Sequence, residues 1–123
     1  MDSGIDGNHG DFADRLGKGH SVYVADDPYD DCGGHGTHVA GTAAGAPKVG
    51  VATAATVHSV IVMQCDGSFD EEAELVAWEW VRRHAKKPAI MNYSAGGSSS
   101  SSLRELSAID LLTKEGIPVV AAA

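Results

Sequence analysis

The strongest constraint on the fold is an alternation of two hydrophobic periods along the chain. Short β-branched or small apolar runs at residues 21–25 (SVYVA), 56–63 (TVHSVIVM), 89–93 (AIMNY) and 117–122 (IPVVAA) are bounded by turn residues and read as strands. They lack a polar alternation, which predicts burial on both faces, as in parallel strands. Between the second and third runs, residues 70–86 (DEEAELVAWEWVRRHAK) place apolar side chains at helical spacing: Leu75 with Trp78, Val76 with Trp80, Ala77 with Val81. Ser68 and Glu71 form a capping box ahead of this helix, Arg82, Arg83, Lys86 and Lys87 crowd its last turn, and Pro88 stops it. A second box, Ser102 with Glu105, opens a helix whose apolar stripe is Leu103, Leu106, Ile109 and Leu112 and whose terminator is Gly116. Strand, helix, strand, helix, strand predicts an α/β fold with right-handed crossovers.

The 123 residues suit one domain. Seventeen Asp and Glu against nine Lys and Arg leave a net charge of −8, with the basic residues gathered mainly at 82–87, which argues against a nucleic-acid partner. No apolar run approaches the roughly 18 residues of a membrane helix, so no membrane partner is expected. Residues 1–20 are polar and glycine-rich and carry no targeting segment. Two cysteines, Cys32 and Cys65, could form a disulfide or stay as free thiols, and their count leaves both readings open. The chain opens directly on Met1-Asp2 and closes on an apolar run at 119–123 without turn or cap, which predicts that it is part of a larger domain. The run at 96–102 (GGSSSSS) reads as a surface loop before a capped helix rather than as a linker.

Residues 30–45 (DDCGGHGTHVAGTAAG) pose the chemical question. A metal site would need more ligands than His35 and His38, and their spacing of three with no intervening glutamate does not fit the His-Glu-x-x-His pattern. Two ordinary helix-start histidines would not need Gly33, Gly34 and Gly36 around them, since glycine is costly unless the backbone is approached closely or takes unusual φ/ψ. A proton-transfer histidine at a helix start, with open space in front, satisfies both conditions.

Residues 34–42 (GHGTHVAGT) resemble the histidine signature of subtilisin-like serine proteases, and residues 2–6 (DSGID), followed by His9, Asp11 and Phe12, resemble their aspartate signature. The similarity continues through residues 49–68, 86–97 and 116–123 and points to the secreted proteinase K and aqualysin branch. It implies a three-layer subtilisin-like α/β fold with a mostly parallel central sheet, incomplete at both ends, in which residues 1–123 are the N-terminal portion of a catalytic domain. It also implies a serine endopeptidase acting on polypeptides through a Ser-His-Asp triad, with Asp2 as the carboxylate, His35 as general base and then acid, and His38 structural. Ser94, Ala95, Gly96 and Gly97 match the strand that pairs with substrate and walls the primary specificity pocket, where an extended peptide would add. Ala95 replaces the family's usual leucine, so the shape of that pocket departs from the family's pattern, and Phe69 replaces a small residue, which alters the neighbouring substrate subsite. Cys32 and Cys65 match a disulfide of the aqualysin branch, which implies an extracellular protein, monomeric when full length.

No cofactor is required by this resemblance. Structural calcium is common in the family, but Asp11, Asp14, Asp26, Asp27, Asp30 and Asp31 form no visible ligand set and read equally well as solvated loop acids. The family's nucleophile, in a Gly-Thr-Ser motif, and its oxyanion-stabilising asparagine lie beyond residue 123. Ser94 and the serines at 98–102 do not sit in a Gly-x-Ser-x-Gly elbow. The isolated 123 residues are therefore expected to lack peptidase activity and to fold poorly. The alternative is a truncated, noncatalytic product that binds peptides as a decoy through residues 93–97.

Overall fold

The computed structural model describes residues 1–23, 27–96 and 102–122. After a 3-10 turn at Ala13–Arg15 the elements are β1 (His20–Ser21), α1 (His35–Ala44), β2 (Val60–Ile61), α2 (Glu71–His84), β3 (Met91–Tyr93), α3 (Leu103–Lys114) and β4 (Val119–Ala121). The last three predicted runs each contain an observed strand shorter than the run, whereas β1 starts one residue before the first run and shares only Ser21 with it; residues 24–25 of that run lie outside the described residues.

β1 pairs with β2 in parallel, His20 opposite Val60, and β3 with β4 in parallel, Met91 opposite Val119. The N-terminal segment joins the two ribbons. The Asp2 nitrogen donates to the Val60 carbonyl (3.1 Å) and the Val62 nitrogen to the Asp2 carbonyl (3.0 Å), while the Met1 nitrogen donates to the Asn92 carbonyl of β3 (2.6 Å). The spatial order is thus β1, β2, the segment carrying Asp2, β3, β4. From that central segment the chain runs first to the strands on one side and then to those on the other, which makes Asp2 the topological switch point of the sheet.

α2 and α3 pack together against one face of the sheet, with α2 also touching β1 and α3 touching β4. The core between them is Val60, Val62, Ala77, Trp78, Met91, Tyr93, Ala95, Leu112 and Ile117, and the Trp78 ring meets Tyr93 edge-on at 5.1 Å. Burying such side chains stabilises by roughly 1.5–3 kcal/mol each. Burial on both faces holds for β2, where Val60, Ile61 and Val62 are all covered, but not for β4, whose Val120 is 56% exposed. β4 has β3 as its one strand partner among the described residues, and pleating turns alternate side chains away from the helices.

Both helices correct the expected detail. α2 starts at Glu71, so its cap is Asp70, whose side chain accepts from the Ala73 nitrogen (3.0 Å). Ser68 instead donates to Asp66 (2.6 Å) in its own turn. Val76 is exposed, whereas Glu74, unremarked in the sequence, is buried and accepts a hydrogen bond from the Tyr93 hydroxyl. On α3, Ser102 does cap the Glu105 nitrogen (3.1 Å). Its stripe is packed only towards the C-terminal end: Leu112 is buried in the core, while Leu103 and Leu106 are exposed. Gly116 takes the left-handed conformation (φ +81°) that ends the helix.

Candidate active site

α1 begins at His35, and its cap is Gly34, whose φ of +74° lies in the left-handed region open to glycine. Gly34 has no side chain to satisfy the free N–H groups of the first turn. Asp31 supplies the missing acceptors. Its Oδ1 accepts from the Gly34 nitrogen (3.0 Å) and the Ser3 hydroxyl (2.8 Å), and its Oδ2 from the nitrogen (2.8 Å) and hydroxyl (2.5 Å) of Thr37. Asp31 is thus no solvated loop acid. Burial pushes its carboxyl up, but the hydrogen bonds from Thr37, Ser3 and Gly34 outweigh this and hold it below the usual carboxylate range.

Gly36, the second residue of α1, is buried against the N-terminal loop. A Cβ at this position would stand 2.0 Å from the Gly4 carbonyl oxygen and 3.1 Å from the Asp2 Cβ. Only glycine permits that approach. It brings the helix start onto the carboxyl end of the central strand segment, and there His35 Nδ1 lies 2.6 Å from Asp2 Oδ1. Asp2 is buried and its Oδ1 also accepts from the Ser3 nitrogen (2.8 Å), while the His35 side chain is 52% exposed. A carboxylate accepts only, so Nδ1 carries the hydrogen and Nε2 is left as the unprotonated ring nitrogen of the neutral imidazole.

Beside His35 lies a cleft of about 340 Å³, lined by Ser3, Gly33 and His35, by Met63, Gln64, Cys65, Gly67 and Phe69, and by Ser94, Ala95 and Gly96. Apart from Gly33 and His35 at the entry to α1, these residues follow the central strand segment, β2 and β3, so the cleft opens outside the carboxyl ends of the strands at the switch point, where open α/β sheets bind ligands. Ser94 is half-buried and its hydroxyl accepts from the Asn92 side chain (2.8 Å). Ala95 turns its methyl into the core. Gly97 lies outside the described residues, as do the serines at 98–101.

Cys32 and Cys65 are joined in a disulfide, with an S–S distance of 2.04 Å. The bond ties the loop entering α1 to the loop leaving β2, two walls of the same cleft. His38 is exposed, one turn beyond His35. Among the described residues, no three His, Cys, Asp or Glu side chains converge to hold a metal ion. Sequence reasoning missed Asp31 and Ser3; the one available signal was an acid four residues ahead of a helix start whose cap is glycine.

Residues 1–123, the whole chain, match the subtilase family. The chain belongs to the subtilase family. It is 39% identical over its full length to the extracellular serine proteinase of Thermus sp. (strain Rt41A) and 34% identical to alkaline serine exoprotease A of Vibrio alginolyticus. Over 81% of its length it is 39% identical to subtilisin-like protease 6 of Trichophyton tonsurans. A solved crystal structure of a cold adapted subtilisin-like serine proteinase superposes on 98% of the chain with a TM-score of 0.87 at 34% identity. The subtilase fold is therefore that of this chain, which spans 29%, 22% and 26% of the length of the three relatives and 43% of the solved chain.

Proposed function

We propose that this chain contributes the aspartate and histidine of a serine endopeptidase working through a Ser-His-Asp triad. The supporting observation is the 2.6 Å contact between His35 Nδ1 and Asp2 Oδ1 beside an open cleft. In this reading Asp2 holds the imidazole in the tautomer whose Nε2 is free, and Nε2 takes the proton of the attacking hydroxyl. Asp2 then stabilises the imidazolium, and His35 returns the proton to the leaving amine. Ser94, Ala95 and Gly96 form the wall along which an extended peptide lies. The nucleophilic serine and the oxyanion donor come from outside residues 1–123; among the described residues no serine hydroxyl is hydrogen-bonded to His35. The disulfide and the extracellular relative support a protein that acts outside the cell.

The test is hydrolysis of a chromogenic peptide amide by the complete protein, with its sensitivity to a serine-directed sulfonyl fluoride. Wild type is expected to turn over and be inactivated, and His35→Ala and Asp2→Ala to be nearly inactive. The corresponding removals in subtilisin, a relative within this family, lower kcat by about six and about four to five orders of magnitude. Full activity in His35→Ala would overturn the proposal, and residues 1–123 alone are expected to be inactive.

A further inference from the structure

The proton-transfer role explains His35 and Asp2 but not why one carboxylate four residues upstream gathers four donors. A helix cap ordinarily accepts from one or two backbone N–H groups of the first turn. Asp31 accepts two such groups, from Gly34 and Thr37, and also the hydroxyls of Thr37 and Ser3. Ser3 directly follows Asp2, and its hydroxyl accepts in turn from the Gly36 nitrogen (3.0 Å). Residues 34, 36 and 37, which bracket His35, are thereby bound to Asp31 directly or through Ser3. Thr37 adds a second tie to the N-terminal loop, its hydroxyl accepting from the Asp6 nitrogen (2.8 Å). The imidazole itself is half-exposed, so packing around the ring does not fix where it stands; the anchored backbone beneath it does.

We infer that Asp31, acting through Ser3 and the first turn of α1, is a positioning residue that holds the His35 imidazole in bonding register with Asp2. This rests on the serine-protease reading. Without Asp31, the Gly34 and Thr37 nitrogens lose their acceptor and the Ser3 hydroxyl loses the anchor that aims it at Gly36, so the helix start, held by the remaining ties of Gly36 and Thr37 to the N-terminal loop, can drift away from the strand segment. A displacement of about 1 Å in a reacting group can cost about 100-fold in rate.

The experiment uses the complete protein and a chromogenic peptide amide, at a temperature where circular dichroism shows each variant folded. Asp31→Ala is expected to lower kcat about 10- to 100-fold with KM within about twofold. Asp31→Asn is expected to recover part of that loss, because its carbonyl oxygen still accepts from Ser3 and Gly34 and its amide can donate to the Thr37 hydroxyl, while the Thr37 nitrogen loses its acceptor. Ser3→Ala, which cuts only the relay to Gly36, is expected to give a smaller fall in kcat and decides the matter if Asp31→Ala does not fold. Wild-type kcat in Asp31→Ala, or in Ser3→Ala where that variant decides, with only a lowered melting temperature, would overturn the inference and leave Asp31 a purely structural cap. His35→Ala and Asp2→Ala are run alongside: if they too keep wild-type rates, the protease reading itself has failed, whereas their inactivity beside fully active Asp31 and Ser3 variants refutes the positioning role alone.

Discussion

Replacing Gly36 by alanine tests the packing that assembles the site. The new methyl would stand 2.0 Å from the Gly4 carbonyl oxygen, against 3.4 Å or more for an ordinary contact, a deficit of about 1.4 Å. The obstacle is main chain on one side and the Asp2 Cβ, 3.1 Å away, on the other, so neither neighbour can turn aside as the tip of a flexible side chain would. The helix start must retreat, and His35, the adjacent residue, retreats with it. Added to the present 2.6 Å separation, even two thirds of that retreat carries Nδ1 to about 3.5 Å from Asp2, beyond hydrogen-bonding range. The expected result is a fall in kcat of about 100-fold with KM little changed, and a loss of about 1–3 kcal/mol in unfolding free energy from overpacking. Steady-state kinetics on the complete protein and urea unfolding measure the two effects. A Gly36→Ala variant with wild-type kcat would refute the argument that close approach of α1 to the Gly4 carbonyl sets the Asp2–His35 geometry.

The remaining predictions concern stability. Breaking the Cys32–Cys65 bridge by the double change to serine releases a closed loop of 33 residues; the chain-entropy relation gives a loss of about 3–4 kcal/mol, read by urea unfolding, and an unchanged midpoint would contradict it. Burial, reinforced by Glu105, Glu71 and Asp70 and partly opposed by the Tyr93 hydrogen bond, raises the Glu74 carboxyl above its ordinary range. The folded state therefore holds this proton more tightly than the unfolded chain, so stability should fall as pH rises from the ordinary carboxylate range through the raised folded value and then level off. Glu74→Gln should remove that fall and be more stable than wild type at neutral pH; an identical pH profile in the two proteins would sink the assignment. Asp70→Ala should cost about 1 kcal/mol as a lost cap, whereas Ser68→Ala should stay within about 0.5 kcal/mol. Equal losses in thermal melts would restore Ser68 as the cap.

Local signals made α2 and α3 legible, because capping, dipole complement and apolar spacing act within a turn or two of chain. Where several such signals crowd together, as Asp66, Ser68 and Asp70 do ahead of α2, the competition among them is settled by where the helix first meets the sheet, and the expected cap was two residues early. On α3 the apolar spacing does not translate into packing throughout: Leu103 and Leu106 have the helical period and remain exposed. Conversely Glu74, an acid among acids in the first turn, is drawn inward by the Tyr93 hydroxyl, a partner 19 positions away.

The sequence by itself determined the alternation of strands and helices, the glycine-framed histidine at a helix start and the family to which both motifs point, since each is written in neighbouring residues. Tertiary structure decided what the family resemblance had only implied, that Asp2 and His35, 33 positions apart, meet at 2.6 Å and that Cys32 bonds to Cys65 beside the cleft. It also decided that Asp31 faces Ser3 and Thr37 rather than water. The Asp2–His35 and Ser3–Asp31 contacts depend on the central segment entering between β2 and β3, a long-range pairing whose loop-closure entropy is offset by packing of the whole sheet and by no local preference.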